Sequence, residues 1–190
     1  PASYAREIRE KLKPLGVDVT IIDYEEMQKQ DMHAALAVGG SAKNKPCMVV
    51  MEWDGTDGQV PSPVGLVGKG VTIDTGGYNI KTAAMEKMKM DMGGSAAVVG
   101  CMQALAEQKS RTKVVAVVGL VENRVTGDSY LPGDIIDSLS GKTIEIGNTD
   151  AEGRWVLADV MWYAQERFKP VGMIDLATLT GAIIIALGHE

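Results

Sequence analysis

Histidine is the first scarcity: the 190 residues contain two, His33 and His189. His33 lies near the start of a helical stretch, "DMHAALAV", and His189 lies far along the chain. A Ser-His-Asp triad is hard to build from such a pair, and a histidine-rich zinc protease site is excluded. Any metal site here must rest mainly on oxygen ligands. Cysteine is equally scarce. Cys47 and Cys101 form no close-spaced motif and read as buried thiols of a reducing compartment. No signal-peptide pattern is visible, so the expected location is cytoplasmic. No uninterrupted apolar run approaches the ~20 residues needed to span a bilayer. Positive charge is also in deficit, with 19 Lys and Arg against 25 Asp and Glu, a net charge of −6. That balance argues against nucleic acid or an anionic membrane as partner. The remainder, 45% apolar and 23% charged, suits a globular protein long enough to bury a real core.

Periodicity gives the organisation. Residues 3–13 have helical spacing, and "VDVTIID" follows as a strand. "YEEMQKQDMHAALAV" reads as one helix ending at Gly39 and Gly40, and "PCMVVMEW" as a buried strand. "DGTDGQVPSP" has loop chemistry. "VGLVGKGVTID" is strand-like, residues 93–109 are helical, and "KVVAVVGLV" reads as a strand buried on both faces. Short strands flank a Ser-Gly turn in "YLPGDIIDSLSGKTIEIG". Residues 152–168 are helical, "VGMIDLATL" is a strand, and a last helix starts near Thr180. Strands alternating with helices predict an α/β fold, a mostly parallel mixed sheet with helices on both faces in three layers. No internal repeat or domain boundary is visible.

In such sheets ligands gather beyond the carboxyl ends of the strands. Three polar clusters fall at strand ends: "KGVTIDTGGYNIK", "KMDMGGS" and "NTDAEGR". Taken alone, "NTDAEGR" is a capped helix start, with Thr149 or Asp150 accepting from free backbone N–H groups. Likewise, the glycine-rich stretch reads alone as a loop with surface lysines, and Asp91 as a cap. Together they supply Asp74, Asp91, Asp150 and Glu152 with Lys69, Lys81 and Arg154. Four acids in one cleft repel unless a cation lies between them, and divalent ions with hard oxygen ligands meet that need. In an extended segment residues two apart point the same way, which would aim Asp150 and Glu152 at one site.

These motifs resemble the leucine aminopeptidases of the cytosol aminopeptidase family, the M17 peptidases. "NTDAEGR" is similar to the family signature, and "VGKGVTIDTGGYNIK" resembles the family's "VGKGxTFDSGGxxxK", with Ile73 and Thr75 as mild departures. "DMGGSAA" and "DLATLTGA" match as well. The resemblance implies a partial catalytic domain over residues 1–190, with its motif core at 64–190 and no separate N-terminal domain. It implies Lys69, Asp74, Asp91, Asp150 and Glu152 as ligands of two divalent ions, Mn²⁺ or Zn²⁺ with Mg²⁺ as a further fit. Asp74 and Glu152 would bridge the pair. Lys81 would polarise the scissile carbonyl, and Arg154 would hold a bicarbonate acting as general base. Met88, Asn148, Ala151, Thr178, Leu179 and Gly181 match positions that line the substrate pocket. The implied reaction is removal of N-terminal residues, leucine and similar, from peptides by a metal-activated water. The implied assembly is a homohexamer facing an inner cavity.

One residue fewer separates Lys81 from Asp91 than the family pattern has. In a helix one residue turns a face by about 100°, so Asp91 and Met88 are the positions the fold has to place. The chain also ends directly after an apolar helical run, which reads as a C-terminally truncated fragment with an uncovered apolar face. A catalytically weak relative serving as a binding or assembly subunit is therefore the alternative function. A nucleotide-binding module, suggested by "AVGGSAKNK" and "MGGSAA", lacks P-loop spacing.

Overall fold

The computed structural model describes residues 1–189. The chain opens with α1 (Ala2–Leu12), followed by β1 (Asp18–Ile22), α2 (Tyr24–Lys29) and α3 (His33–Gly39). Next come β2 (Cys47–Asp54), β3 (Val64–Asp74), α4 (Gly93–Glu107) and β4 (Lys113–Asn123). A small hairpin, β5 (Ile135–Asp137) and β6 (Thr143–Glu145), precedes α5 (Glu152–Phe168), β7 (Gly172–Leu176) and α6 (Ala182–Leu187).

The main sheet has the order β1-β2-β4-β3-β7. Pairing is antiparallel from β1 through β2 to β4 and parallel from β4 through β3 to β7. The parallel part is the one that builds the site, because three strand ends there open onto the same edge.

Strand β4 explains why the sheet is central. Its alternation sends Val114, Ala116, Val118 and Leu120 to one face, where α1 and α4 cover them with Ile8, Leu12, Val98 and Met102. Val115, Val117 and Val121 point to the other face, against Val156, Leu157 and Val160 of α5 and Val38 of α3. Both faces are therefore dry, the burial that a continuous β-branched run predicts. Each Val or Leu so buried contributes roughly 1.5–3 kcal/mol.

Asp159 shows how a charge is tolerated inside that packing. It is fully buried on α5 and accepts from the N–H of Ala35, at 2.9 Å, and of Leu139, at 2.8 Å. Its carboxylate thus satisfies the first turn of α3, across 124 residues of chain.

Three sequence expectations need correction. The stretch from Tyr24 is two helices, not one, broken where Asp31 takes φ 56°. Met27, Met32 and Ala35 still reach the core on both sides of the break, so the apolar pattern did not betray it. Cys101 is exposed on α4, whereas Cys47 is buried. The strand expected over 171–179 stops at Leu176, and the chain turns into the site from Ala177. Along β7 and α6 the apolar side chains Ile174, Ile183, Ile185 and Leu187 are exposed. Among the described residues no helix is long and apolar enough to cross a membrane.

Candidate metal centre

The polar clusters converge on a cleft of about 810 Å³ at the carboxyl ends of β3 and β7. Every candidate ligand, Lys81, Arg154 and every candidate pocket residue named above lines it. Met90, Ala177, Thr180, Ile183 and Ile184 join them without having been anticipated.

Lys69 lies within β3 opposite Gly119 of β4, and its side chain runs under the start of α5. A Cβ at Gly153 would lie 2.6 Å from Lys69 Cε, so glycine in "NTDAEGR" clears the lane for the lysine. Its Nζ lies 2.8 Å from Glu152 Oε1 and 2.9 Å from Asp91 Oδ1, and it donates to the Thr178 carbonyl at 3.2 Å. Burial works against the Lys69 charge, but Glu152 and Asp91 outweigh it and hold the ammonium pKa above its ordinary value. For Glu152, 1% exposed, burial dominates over Lys69 and pushes its pKa up to about 7. Burial likewise raises Asp91, against Lys69 and the 2.7 Å hydrogen bond from Thr178.

A second cluster sits nearer solvent. Lys81 Nζ is 2.8 Å from Asp74 Oδ2 and 2.6 Å from Asp150 Oδ1. Burial disfavours the Lys81 charge, yet the adjacent carboxylates of Asp150 and Asp74 raise its pKa overall. Gly76, at φ 85°, makes the turn that brings these groups together; a Cβ there would meet the Asn79 carbonyl at 2.4 Å. Arg154 stands exposed at the cleft.

The short Lys81–Asp91 segment does not displace Asp91. Residues Met85–Met90 form a 3₁₀ helix rather than an α-helix, entered through Ala84 at φ 57°. The shortfall therefore falls in a short connection of bends and one 3₁₀ segment rather than in a long helix whose face it would rotate, and Asp91 ends buried against Lys69. Asp150 and Glu152 also face the site by a different route. Thr149–Ala151 is a 3₁₀ turn, not an extended strand, and Glu152 opens α5. Neither Thr149 nor Asp150 caps α5, which starts after Ala151 without a side-chain cap; Asn148 caps the 3₁₀ turn instead, its side chain accepting from the Asp150 N–H at 2.8 Å.

The donors fit a divalent cation. Asp74, Asp150 and Glu152 each present a carboxylate oxygen within 4.8 Å of the others. Glu152 Oε2 is buried without a partner. Asp150 Oδ1 and Asp91 Oδ2 lie close to lysine ammonium groups yet lack an aligned hydrogen bond, so only charge holds them. Four carboxylates against two lysines leave the cleft with excess negative charge, still net acid when Arg154 is counted. Hard oxygen donors with surplus charge are what a divalent ion requires.

Residues 1–190 match the cytosol aminopeptidase family, catalytic domain. The chain belongs to the cytosol aminopeptidase family. A probable cytosol aminopeptidase of Methylorubrum populi is 53% identical over 191 residues, covering 100% of this chain and 38% of that protein. One of Cereibacter sphaeroides is 58% identical over 178 residues, covering 93% of this chain and 36% of that protein. One of Rickettsia rickettsii is 54% identical over 190 residues, with 100% and 38% covered. The chain thus spans less than two fifths of the length of these cytosol aminopeptidases.

Proposed function

We propose that this segment carries the metal centre of an aminopeptidase that removes apolar N-terminal residues, leucine among them, from peptides. The observation behind the proposal is the convergence of Asp74, Asp91, Asp150 and Glu152 in one cleft, with the buried Glu152 Oε2 left without a partner. Asp74, Asp91, Asp150, Glu152 and a neutral Lys69 would hold two divalent ions, Mn²⁺ or Zn²⁺ with Mg²⁺ as a further fit, supplying Lewis acidity and activated water.

The chain's own groups do the rest. Lys69 must lose its proton to become a ligand, which nearby divalent charge favours. Lys81 keeps its proton, because Asp74 and Asp150 hold it charged, and its Nζ can donate to the oxyanion that develops on the scissile carbonyl. Arg154 would anchor a bicarbonate, which would supply a general base for the attacking water. Met88, Met90, Leu179 and Ile183 form an apolar wall suited to a leucine-like side chain. Asn148, Ala151, Thr178 and Gly181 line the same cleft and would hold the peptide main chain. A homohexamer and a cytoplasmic location belong to the same reading, the latter in keeping with the relatives' name.

The test is chelation and reconstitution. Removing metal should abolish hydrolysis of leucine amide, and Mn²⁺ or Zn²⁺ should restore it. Full activity after exhaustive chelation would overturn the proposal. A second reading, metal binding with little turnover, is favoured by one observation: Leu179, Ile183 and Ile184, on one wall of the cleft, are largely exposed. Metal uptake without turnover at saturating Mn²⁺ would select it.

A further inference from the structure

We infer that Asn123 is a positioning residue of the metal centre: its buried amide selects which oxygen of Asp74 faces the cleft and ties that ligand to the segment carrying Asp150 and Glu152. The inference rests on the metal reading above.

Asn123 is the last residue of β4 and is fully buried. In the parallel pairing of β3 and β4 it stands directly opposite Asp74. Its Nδ2 donates to Asp74 Oδ1 at 2.8 Å and to the Thr149 carbonyl at 3.0 Å. Both hydrogens of the amide are thereby spent, one on each half of the centre. Asp74 Oδ1 also accepts from the Gly76 N–H at 2.9 Å. With Oδ1 saturated, Oδ2 is the oxygen left to the cleft, where Lys81 Nζ lies 2.8 Å away.

The clamp extends further. The Asn123 carbonyl accepts from Thr75, from its N–H at 3.0 Å and its Oγ1 at 2.9 Å, which fixes the residue after Asp74. Tyr130 donates its hydroxyl to the Thr149 carbonyl at 2.8 Å and lies 3.3 Å from Asn123 Oδ1. Thr149 itself donates through Oγ1 to the Gly76 carbonyl at 2.6 Å. One buried amide therefore joins the turn after β3 to the turn before α5. A carboxylate held by neutral donors on its rear oxygen keeps its charge for the front one, the arrangement by which supporting residues tune a metal ligand.

The experiment is Mn²⁺ titration by calorimetry on wild type, Asn123→Leu and Tyr130→Phe, with the melting temperature of each metal-free protein measured alongside. Asn123→Leu keeps the volume and removes both donors. It should weaken Mn²⁺ binding by roughly 10–100-fold, and Tyr130→Phe by less than about 10-fold. A residue that served packing alone would lower the melting temperature and leave the dissociation constant unchanged; that result overturns the inference. If Asn123→Leu fails to fold, Asn123→Ser, too short to reach Asp74, takes its place under the same criterion. Wild type that binds no Mn²⁺ overturns the metal reading and this inference together, whereas tight wild-type binding with unchanged variants overturns this inference alone.

Discussion

The two lysines of the cleft sit in opposite surroundings. Lys69 has a side chain 3% exposed, between Asp91 and Glu152, which are 6% and 1% exposed. Lys81 is 18% exposed, between Asp74 at 3% and Asp150 at 36%. Both ammonium groups are ion-paired to two carboxylates, so pairing alone does not separate their roles; burial does. In the dry cluster every charge needs a partner at short range, and the shortfall shows as a Glu152 pKa of about 7 and an unpartnered Oε2. On the proposed reading, a divalent ion would relieve that cluster and let Lys69 give up its proton. In the wetter cluster Lys81 is partly exposed, its ammonium is held charged by Asp74 and Asp150, and on the proposed reading it faces the substrate carbonyl. Solvent access is thus what would separate the proposed ligand lysine from the proposed donor lysine.

Glu152→Ala should cause the largest loss, because it removes a ligand assigned to both ions from the dry cluster. Calorimetric Mn²⁺ affinity should fall by more than the roughly 10–100-fold cost of losing a supporting residue. Lys81→Ala should leave Mn²⁺ stoichiometry unchanged and lower kcat on leucine amide by about 100–1000-fold, the usual cost of losing an oxyanion donor. If Lys81→Ala empties the site instead, the two lysines are not distinguished as argued. Arg154→Ala should keep metal and cost kcat about 10-fold, less than the ~100-fold typical of a misplaced reacting group. Added bicarbonate should speed wild type more than this variant, and equal responses would count against the anchoring role.

The smallest effect is the pH response of metal-free protein. The Glu152 pKa is raised from 4.5 to about 7 in the folded chain. Folded protein therefore binds the Glu152 proton more tightly than unfolded protein does. Its contribution to stability is full below about pH 4.5 and is lost as pH rises towards 7. Subtracting the melting curve of Glu152→Gln from that of wild type, both with chelator, should leave a decline across this window. Mn²⁺ affinity should move the opposite way and rise from pH 5 to 7, since the ion competes with that proton. A flat difference curve would remove Glu152 from the dry cluster's charge problem.

Much of this was legible from sequence, and the failures have physical causes. Strand β4 was visible as a continuous β-branched run and helix α5 by the helical spacing of its apolar residues, and both are deeply buried. The break between α2 and α3 was hidden, because apolar spacing continues across a single residue at positive φ. The acidic ligands stood out as charged residues in glycine-rich strand ends. Asn123 did not, being a neutral side chain that ends an apolar strand outside any motif. A signal existed nonetheless: Glu122 and Asn123 are the first polar residues after an apolar run, at the strand end where ligands gather. The 3₁₀ turns at Met85–Met90 and Thr149–Ala151 were invisible to pattern reading, since short tight turns have no apolar period of their own.

The central claim is that the four carboxylates form one metal centre. Crystals of the protein equilibrated with Mn²⁺, with anomalous differences measured at the manganese edge, test it most directly. Two strong peaks are expected in the cleft, both in contact with Glu152, with Lys69 no longer ion-paired to Asp91 and Glu152. No peak in the cleft, with Lys69 still bridging Asp91 and Glu152, would contradict it.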